Sequence, residues 1–286
     1  NLGFAVLQKS ADGVQVRYTY GVPTVPGAKA ELTYTVEPQG TLLVEAVYHG
    51  VPGAPELPCF GVKFQTFAPV ARTLWTGLSG ETYPDRCKGG VFGCHEEVPH
   101  IEPALVPQDC GLHVGTRQFT LEQHNACGQT AAALTIEQAD APFAFSALPN
   151  TAQEIEAAQH IPELPATGRT SVTILGAARG VGGIDSWGTD VEEPYRVSGE
   201  GEHRVALRLL CAELSAGLEH ADLRLRVRTQ LVRLAPRIGD DLFRLRLGFG
   251  KDLRGLAVRA LDAVLFDGGY QILNLKLHKI HLSVFM

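Results

Sequence analysis

The stretch GVQVRYTYGVPTVPGAKAELTYTVEPQGTLLVEA, residues 13–46, carries the pattern that decides the fold. Apolar or aromatic side chains alternate with polar ones in three runs, Val14 to Tyr18, Leu32 to Val36 and Leu42 to Ala46, and glycine or proline separates the runs. Such alternation is typical of strands that bury one face. The stretch therefore predicts three successive antiparallel strands at the start of an all-β chain.

The composition agrees with a strand-rich globular protein. The 286-residue chain is 45% hydrophobic and 20% charged, so it can bury a core and is too apolar to be disordered. Its 31 glycines and 17 prolines imply many turns. Proline at positions 52, 55 and 58 predicts a loop or a sheet edge, because each proline removes a ladder donor. Further strands are predicted at Phe60–Phe64, Arg72–Trp75, Gln118–Leu121, Ala131–Ile136, Phe143–Ser146 and Val172–Ile174.

One helix interrupts the series of strands. Thr151 and Glu154 have the spacing of a capping box, in which each side chain satisfies a free backbone amide of the other residue. This spacing predicts a short helix near residues 152–159. A helix of two turns is not stable alone in water, so Ile155 and Ala158 are expected to pack on a sheet.

The last 75 residues differ in charge from the rest of the chain. Residues 1–211 contain 13 basic and 23 acidic side chains, whereas residues 212–286 contain 12 basic and 8 acidic ones. Leucines alternate with arginines in this tail, which predicts a β-rich extension packed on a main domain formed by residues 1–211. The net charge of −6 and the alternation together argue against a nucleic-acid surface. Tail strands are predicted at 223–227, 243–247, 273–277 and 280–284, with a bulge near His278 and Lys279.

The cysteines and the hydropathy pattern exclude several classes of protein. Six cysteines without a C-x-x-C pair predict reduced, buried thiols rather than a disulfide scaffold. Cys94 and His95 lie near Cys87 and His100, but the spacing matches no common zinc pattern, so we predict no metal and no cofactor in this chain. No leader and no apolar run of about 18 residues is present, which predicts a cytoplasmic protein without a membrane span. The start at Asn1 leaves open a processed product or a piece of a longer chain.

A glycine-rich segment holds one of the two tryptophans. Four of the nine residues from Gly180 to Gly188 are glycine, and Trp187 stands near the end of the segment. A tryptophan on such a loop can be an exposed platform for the apolar face of a sugar ring, or it can anchor the loop in the core. The residues alone leave both interpretations open. The glycine spacing is not that of a dinucleotide site.

A second cluster lies between Trp75 and Arg86. Its Glu81, Asp85 and Arg86 can form ion pairs with one another. One of the carboxylates could serve as an acid or a base, but two carboxylates beside an arginine are more often a structural ion-pair network, and we favour that interpretation.

Three segments give the chain a specific resemblance. They are GETYPDR at residues 80–86, FSALPNTAQEIEAAQHIPEL at 145–164, and VGGIDSWG at 181–188 followed by Pro194 and Tyr195. In order and spacing they resemble the C-terminal domain of β-galactosidases of glycoside hydrolase family 2. In that family the domain occurs at the end of a long chain or as a separate small subunit.

The resemblance implies a fold and a role. It implies a large antiparallel β-supersandwich similar to galactose mutarotase, with its front strands absent here. It implies that Trp187, with Asp185 and Ser186 beside it, binds the aglycone sugar of a β-galactoside such as lactose. The catalytic glutamates, and any Mg²⁺ or Na⁺, would belong to a TIM-barrel partner in an oligomeric enzyme, so the chain alone would hydrolyse nothing. Glu81, Tyr83, Asp85 and Arg86 would form a structural motif.

Two departures and two alternatives accompany the resemblance. Ile184 replaces the family's usual aspartate, which removes an acceptor from the loop, and the turn at residues 77–83 is shorter and lacks a proline. A freestanding carbohydrate-binding module would use the same tryptophan. A mutarotase-like epimerase would need a histidine acid and a carboxylate base, and His113 is its best candidate.

Overall fold

The computed structural model describes residues 2–10, 13–37, 40–66, 68–101, 110–213 and 281–284. Within these residues the chain forms strands, one α-helix and two 3-10 turns. The strands are β1 Gly3–Ser10, β2 Gly13–Gly21, β3 Lys29–Val36, β4 Leu42–His49, β5 Cys59–Gln65, β6 Arg72–Leu78, β7 Phe92–Glu97, β8 His113–Thr116, β9 Gln118–His124, β10 Thr130–Gln138, β11 Phe143–Leu148, β12 Ser171–Ala178, β13 Glu202–Glu213 and β14 His281–Val284. The helix is α1 Ala152–Ala157, and the 3-10 turns are Ile161–Glu163 and Glu193–Tyr195.

The strands form two sheets. One has nine strands in the order β1-β2-β3-β4-β13-β10-β9-β6-β7, and the other has five in the order β14-β5-β12-β11-β8. The neighbouring strands pair antiparallel in both sheets. The prediction of an all-β chain with antiparallel sheets is confirmed.

The two sheets pack against each other around a shared core. Buried and partly exposed positions alternate along β4 and β6, as expected of strands with one face on a core. Phe119 of the nine-stranded sheet stacks on Phe145 of the five-stranded sheet, with ring centroids 4.2 Å apart and planes 3° from parallel. Both rings are fully buried, so this stack joins the sheets directly.

A further layer covers the other face of the five-stranded sheet. Strands β5 and β11 are buried at nearly every position, which requires cover on both faces. Tyr83 and Leu112 supply part of it, packing with Cys59 of β5, Ala144 of β11 and Leu175 of β12. The segment around Tyr83 is thereby attached to the sheet whose strand β12 leads into the glycine-rich loop.

Helix α1 begins at the predicted capping box. The Thr151 hydroxyl accepts a hydrogen bond from the Glu154 N–H at 3.2 Å, and the Glu154 carboxylate accepts one from the Thr151 N–H at 2.8 Å. Ile155 is buried beside Cys110 and Leu148, as predicted. The helix ends at Ala157, earlier than the predicted residue 159, and Ala158 is its partly buried C-cap.

The predicted strands before residue 180 all lie within observed strands, but β1, β7, β8 and β13 form where none is predicted. Strands β1 and β7 are the edges of the nine-stranded sheet, and β8 is an edge of the five-stranded one. Strand β7 is exposed or partly exposed at every position, so no buried face imposes an alternation on its sequence. In β13, Val205, Ala206 and Leu207 are buried in succession, so its pattern is not a period of two.

Most of the tail lies outside the described residues. This includes the predicted strands at 223–227, 243–247 and 273–277 and the predicted bulge at 278–279. Strand β13 ends at Glu213, beyond the predicted boundary at residue 211. Strand β14 falls within the predicted strand at 280–284 and pairs with the edge of β5, Leu282 lying opposite Val62.

The side chains of five cysteines are described, and they differ in burial. Cys59 and Cys110 are buried as predicted, whereas Cys94 and Cys127 are exposed, so the prediction of buried thiols is wrong for these two. In the part of the chain that the structure describes, no helix is long and apolar enough to cross a membrane.

Candidate functional site

The residues from Gly180 to Asp190, which follow β12, form the Trp187 loop. Its tryptophan side chain is 91% exposed, and Ile184 and Val181 are 46% and 39% exposed. A side chain so exposed cannot anchor the loop in the core. Of the two interpretations that the sequence leaves open, the fold is compatible only with the projecting aromatic face.

Backbone conformation explains why this loop is rich in glycine. Gly182, Gly183 and Gly188 have φ angles of 70°, 69° and 80°, in the left-handed region that L side chains rarely adopt. Two such residues in succession precede the bend at residues 184–187, and the third lies directly after Trp187. The glycines thus supply, on each side of this bend, backbone conformations that other residues adopt only with strain.

Asp185 fixes the tip of the loop. Its Oδ1 accepts hydrogen bonds from the Trp187 N–H at 2.9 Å and from the Thr189 N–H at 3.2 Å, and the Thr189 hydroxyl donates to its Oδ2. The Thr189 hydroxyl and these two amides hold the pKa of Asp185 below its ordinary value. Asp185 therefore acts on the backbone around Trp187, while Ser186 between them is exposed.

Asp85 and Arg86 hold the first limb of the loop, which is the segment from Gly180 to Gly182. The Asp85 carboxylate accepts hydrogen bonds from the Val181 N–H at 3.0 Å and the Gly182 N–H at 2.8 Å. Arg86 donates to the Gly182 carbonyl and lies 3.6 Å from the Asp85 carboxylate. Two of the segments that carry the family resemblance, some 96 residues apart, therefore meet in one hydrogen-bonded unit.

The Asp85 carboxylate is tightly enclosed, with its side chain only 5% exposed. A Cβ added at Gly180 would lie 2.6 Å from the Asp85 Cγ, so only glycine fits beside it. Burial opposes ionisation of this carboxyl, but the Gly182 and Val181 amides and the Arg86 guanidinium outweigh burial and lower its pKa. Asp85 is thus a buried anion committed to backbone amides.

Four charged side chains join the two ends of the loop. Asp190 accepts from Arg179 at 2.5 Å and lies 3.2 Å from Arg196. Glu56 lies 3.5 Å from Arg179 and 3.6 Å from Arg196. Each exposed ion pair stabilises a protein little by itself. Here each of the two arginines pairs with both carboxylates, so the four side chains form one network that joins residues 179 and 190.

Glu81 has a different partner from the predicted one. Its carboxylate accepts hydrogen bonds from the Tyr83 hydroxyl and, at 3.0 Å, from the Gly111 N–H. The expected ion pair is observed between Asp85 and Arg86, whereas Glu81 fixes a turn. Both carboxylates bind backbone amides, which suits the structural interpretation better than an acid or base facing a substrate.

His113 is buried, with 1% of its surface exposed. Its Nδ1 lies 2.7 Å from the Gly80 carbonyl and its Nε2 lies 3.0 Å from the Glu97 carboxylate, while its ring packs 4.4 Å from that of Trp75. Both nitrogens face acceptors, so the ring joins the sheet to the turn at Gly80. This enclosed position does not suit contact with a sugar, as the epimerase alternative requires.

The described residues contain no group of three or more histidine, cysteine, aspartate or glutamate side chains that could hold a metal ion. This finding concerns the described residues alone, and the absence of a metal and of a cofactor in the chain stays a prediction. Sequence reasoning identified Trp187 and Asp85 as separate features, but it missed that Asp85 and Gly180 are in contact. No local sequence pattern indicates this contact, since its two residues are 95 positions apart and the clearance at Gly180 exists only in the folded chain.

Comparison with known proteins identifies the family. The model of the beta galactosidase small chain family matches residues 4–209, which span both sheets, the Asp85 segment and the Trp187 loop. The chain belongs to the beta-galactosidase small chain family. The match ends before the tail.

Two relatives illustrate this small chain. Over 196 residues, 66% of this chain, it is 45% identical to a "Beta-galactosidase small subunit" of Latilactobacillus sakei, of which it covers 62%. It is 32% identical over 206 residues, 71% of this chain, to a "Beta-galactosidase" of Streptococcus thermophilus, of which it covers 20%. The chain therefore spans less than two thirds of either relative.

A galactose mutarotase-like protein from Lactobacillus casei shares 13% identity with this small chain. The alignment covers 73% of each protein with a TM-score of 0.34, which is too low to establish a common fold. The likeness to galactose mutarotase beyond the antiparallel β architecture stays a prediction.

Proposed function

We propose that this chain is the small-chain part of a β-galactosidase of glycoside hydrolase family 2. It assembles with a catalytic TIM-barrel part, on the same or a separate chain, into a cytoplasmic oligomer that hydrolyses terminal β-D-galactosides such as lactose. Membership of the beta-galactosidase small chain family carries the proposal, since the match runs through residues 4–209.

In this complex the small chain provides Trp187 to the aglycone side of the active site. Three features support this role: the ring is 91% exposed, Asp185 fixes the backbone beside it, and Asp85 holds the limb beneath it. An indole face held in this way can stack on the apolar face of a sugar and exclude water from it.

The catalytic carboxylates belong to the partner. Retaining glycosidases use two carboxyl groups about 5 Å apart on either side of the glycosidic bond. In this chain Glu81 and Asp85 bind backbone amides instead. The partner would also supply the sites for Mg²⁺ and Na⁺.

Assembly and hydrolysis test the proposal together. The purified chain is combined with a large β-galactosidase chain that lacks its small chain, and the mixture is followed by sedimentation and by cleavage of a chromogenic β-galactoside. We expect no hydrolysis by the small chain alone, and a faster-sedimenting, active species in the mixture. Turnover by the isolated chain after removal of host enzyme, or failure to associate, contradicts the proposal.

A freestanding carbohydrate-binding module is the second candidate, and the exposure of Trp187 in the chain alone favours it. Titration of the isolated chain with galactose and lactose separates the two functions. Tight binding without a partner supports the module, whereas binding that appears only in the mixture supports the small-chain function.

A further inference from the structure

The Trp187 loop is held from a part of the chain that is remote in sequence. Asp85 precedes Val181 by 96 residues, yet its two carboxylate oxygens accept the amides of Val181 and Gly182 at 3.0 and 2.8 Å. These amides belong to the first limb of the loop, and Arg86 binds the carbonyl of the same Gly182. Backbone amide and carbonyl of one residue are therefore both fixed by a neighbouring pair of side chains.

The loop also leaves room for this carboxylate and for nothing larger. Gly180 has no Cβ, and one added there would lie 2.6 to 2.9 Å from the Cγ and both oxygens of Asp85. Gly182 lies beside Val191 more loosely, since a Cβ there would lie 3.3 Å from the Val191 side chain. The contact of Gly180, Val181 and Gly182 with Asp85, called the floor of the loop below, is therefore packed as well as hydrogen-bonded.

The contacts continue from this floor to the tryptophan. Gly182 and Gly183 adopt left-handed φ angles, and Asp185 then binds the amides of Trp187 and Thr189. The Arg179–Asp190 pair closes the two ends of the loop at 2.5 Å. Three fixed points, at the floor, the tip and the ends, thus determine where the exposed indole projects.

We infer that Asp85 is a positioning residue for Trp187, acting through Val181, Gly182 and the clearance at Gly180. Its carboxylate holds the first limb so that the indole is presented in one orientation before a sugar or a partner arrives. The consequence for hydrolysis rests on the proposed function of Trp187, whereas the mechanical coupling does not. A platform that is already ordered avoids the entropy cost of ordering on binding.

Two variants break the same contact in different ways. Asp85→Asn keeps the shape of the side chain, but it removes the charge and replaces one acceptor oxygen with an NH₂ donor. One of the two hydrogen bonds from the backbone amides is therefore lost. Gly180→Ala leaves Asp85 intact and pushes its carboxylate away with a single methyl group. Asp140→Asn is the matched control, because Asp140 pairs with Arg204, 3.4 Å away on another part of the fold.

Amide hydrogen exchange in the isolated chain is the first measurement. We expect the Val181 and Gly182 amides to exchange about tenfold faster or more in both variants, since hydrogen bonds to a charged group contribute about 1.5–3 kcal/mol. The decisive amide is that of Trp187, which does not touch Asp85 and should also exchange faster. The double variant should resemble the more affected single variant, because both changes act on one contact.

Kinetics of the assembled enzyme is the second measurement. Asp85→Asn and Gly180→Ala should lower kcat/KM for lactose more than for methyl β-galactoside, whose leaving group is too small to stack. Asp140→Asn should change neither. Melting curves of each variant identify global unfolding, and whichever of the two loop variants remains folded carries the test.

The outcomes separate this inference from the proposed function. Unchanged exchange at Trp187, when the Val181 and Gly182 amides exchange faster, overturns the positioning role. Faster exchange at Trp187 with unchanged lactose kinetics in Asp85→Asn and in Trp187→Ala supports positioning and overturns the sugar-binding role. A loss in Trp187→Ala that is absent in both loop variants overturns positioning alone.

Discussion

Replacing Trp187 with alanine should separate the role of this side chain in binding from any role in stability. The ring is 91% exposed, so folding removes about a tenth of its surface from water. A tenth of the roughly 200 Å² that a tryptophan can bury, at about 25 cal/mol per Å², gives about 0.5 kcal/mol. The melting temperature should therefore fall by no more than about 1–2 °C.

The chain supplies its own control in Trp75, which is 5% exposed and donates a hydrogen bond to the Leu78 carbonyl at 2.9 Å. Trp75→Ala should cost about 3–5 kcal/mol, which corresponds to a fall of about 6–20 °C in melting temperature. The same chemical substitution should thus lower the melting temperature much more at Trp75 than at Trp187. Differential scanning calorimetry of both variants checks this contrast.

The expected effect of Trp187→Ala on the assembled enzyme is on aglycone binding. Loss of one stacking face should cost on the order of 1–3 kcal/mol, or about 5- to 160-fold in kcat/KM for lactose. Methyl β-galactoside should be affected much less, and Trp187→Phe should retain part of the lactose activity. If the variant melts like the parent and handles lactose and free glucose unchanged, the sugar platform is refuted.

The cap of helix α1, the Asp85 carboxylate and the tail each give one further prediction. Thr151→Ala removes the hydroxyl that caps α1 and should cost about 1 kcal/mol, or about 2–4 °C in melting temperature, whereas a shift near zero would mean that the helix does not depend on its cap. The pKa of Asp85 is lowered from 3.8, so its contribution to the free energy of unfolding is present above about pH 4 and is lost as pH falls through the folded pKa. Urea unfolding from pH 5 to pH 2 should show a decrease in the free energy of unfolding that is smaller in Asp85→Asn than in the parent chain. Residues 212–286 should resist limited proteolysis as packed β structure, and rapid loss of the whole segment without a change in the melting of the remainder would contradict this.

The fold was predictable where burial produces a period of two. Strand β4 alternates between buried and partly exposed positions along its whole length, so its residues carry their own signal. Strand β8, with the sequence HVGT, carries none, yet it pairs with β11 at the edge of the sheet. Its backbone partner lies about 30 residues away, and no local pattern reports such a partner.

The candidate site was predictable by residue type but not by contact. Trp187 stood out because tryptophan is rare here and because glycines surround it. Its exposure could not be inferred, since a glycine-rich loop can turn either inwards or outwards. The link between Asp85 and Gly182 depends on the layer that Tyr83 fixes to the five-stranded sheet, and this layer arises only when distant segments pack.

Ile184 and the turn at residues 77–83 are the two departures from the family pattern. Ile184 was expected to remove an acceptor from the loop, but the acceptor that orders the tip is Asp185, which binds the amides of Trp187 and Thr189. Ile184 is 46% exposed and lies three residues before Trp187, so it adds apolar surface to the Trp187 loop. The turn at residues 77–83 is fixed by Glu81, which binds the Gly111 amide at 3.0 Å. Neither departure removes a contact that holds the Trp187 loop here, because Asp185 binds the amides beside the ring and Asp85 binds the amides of Val181 and Gly182.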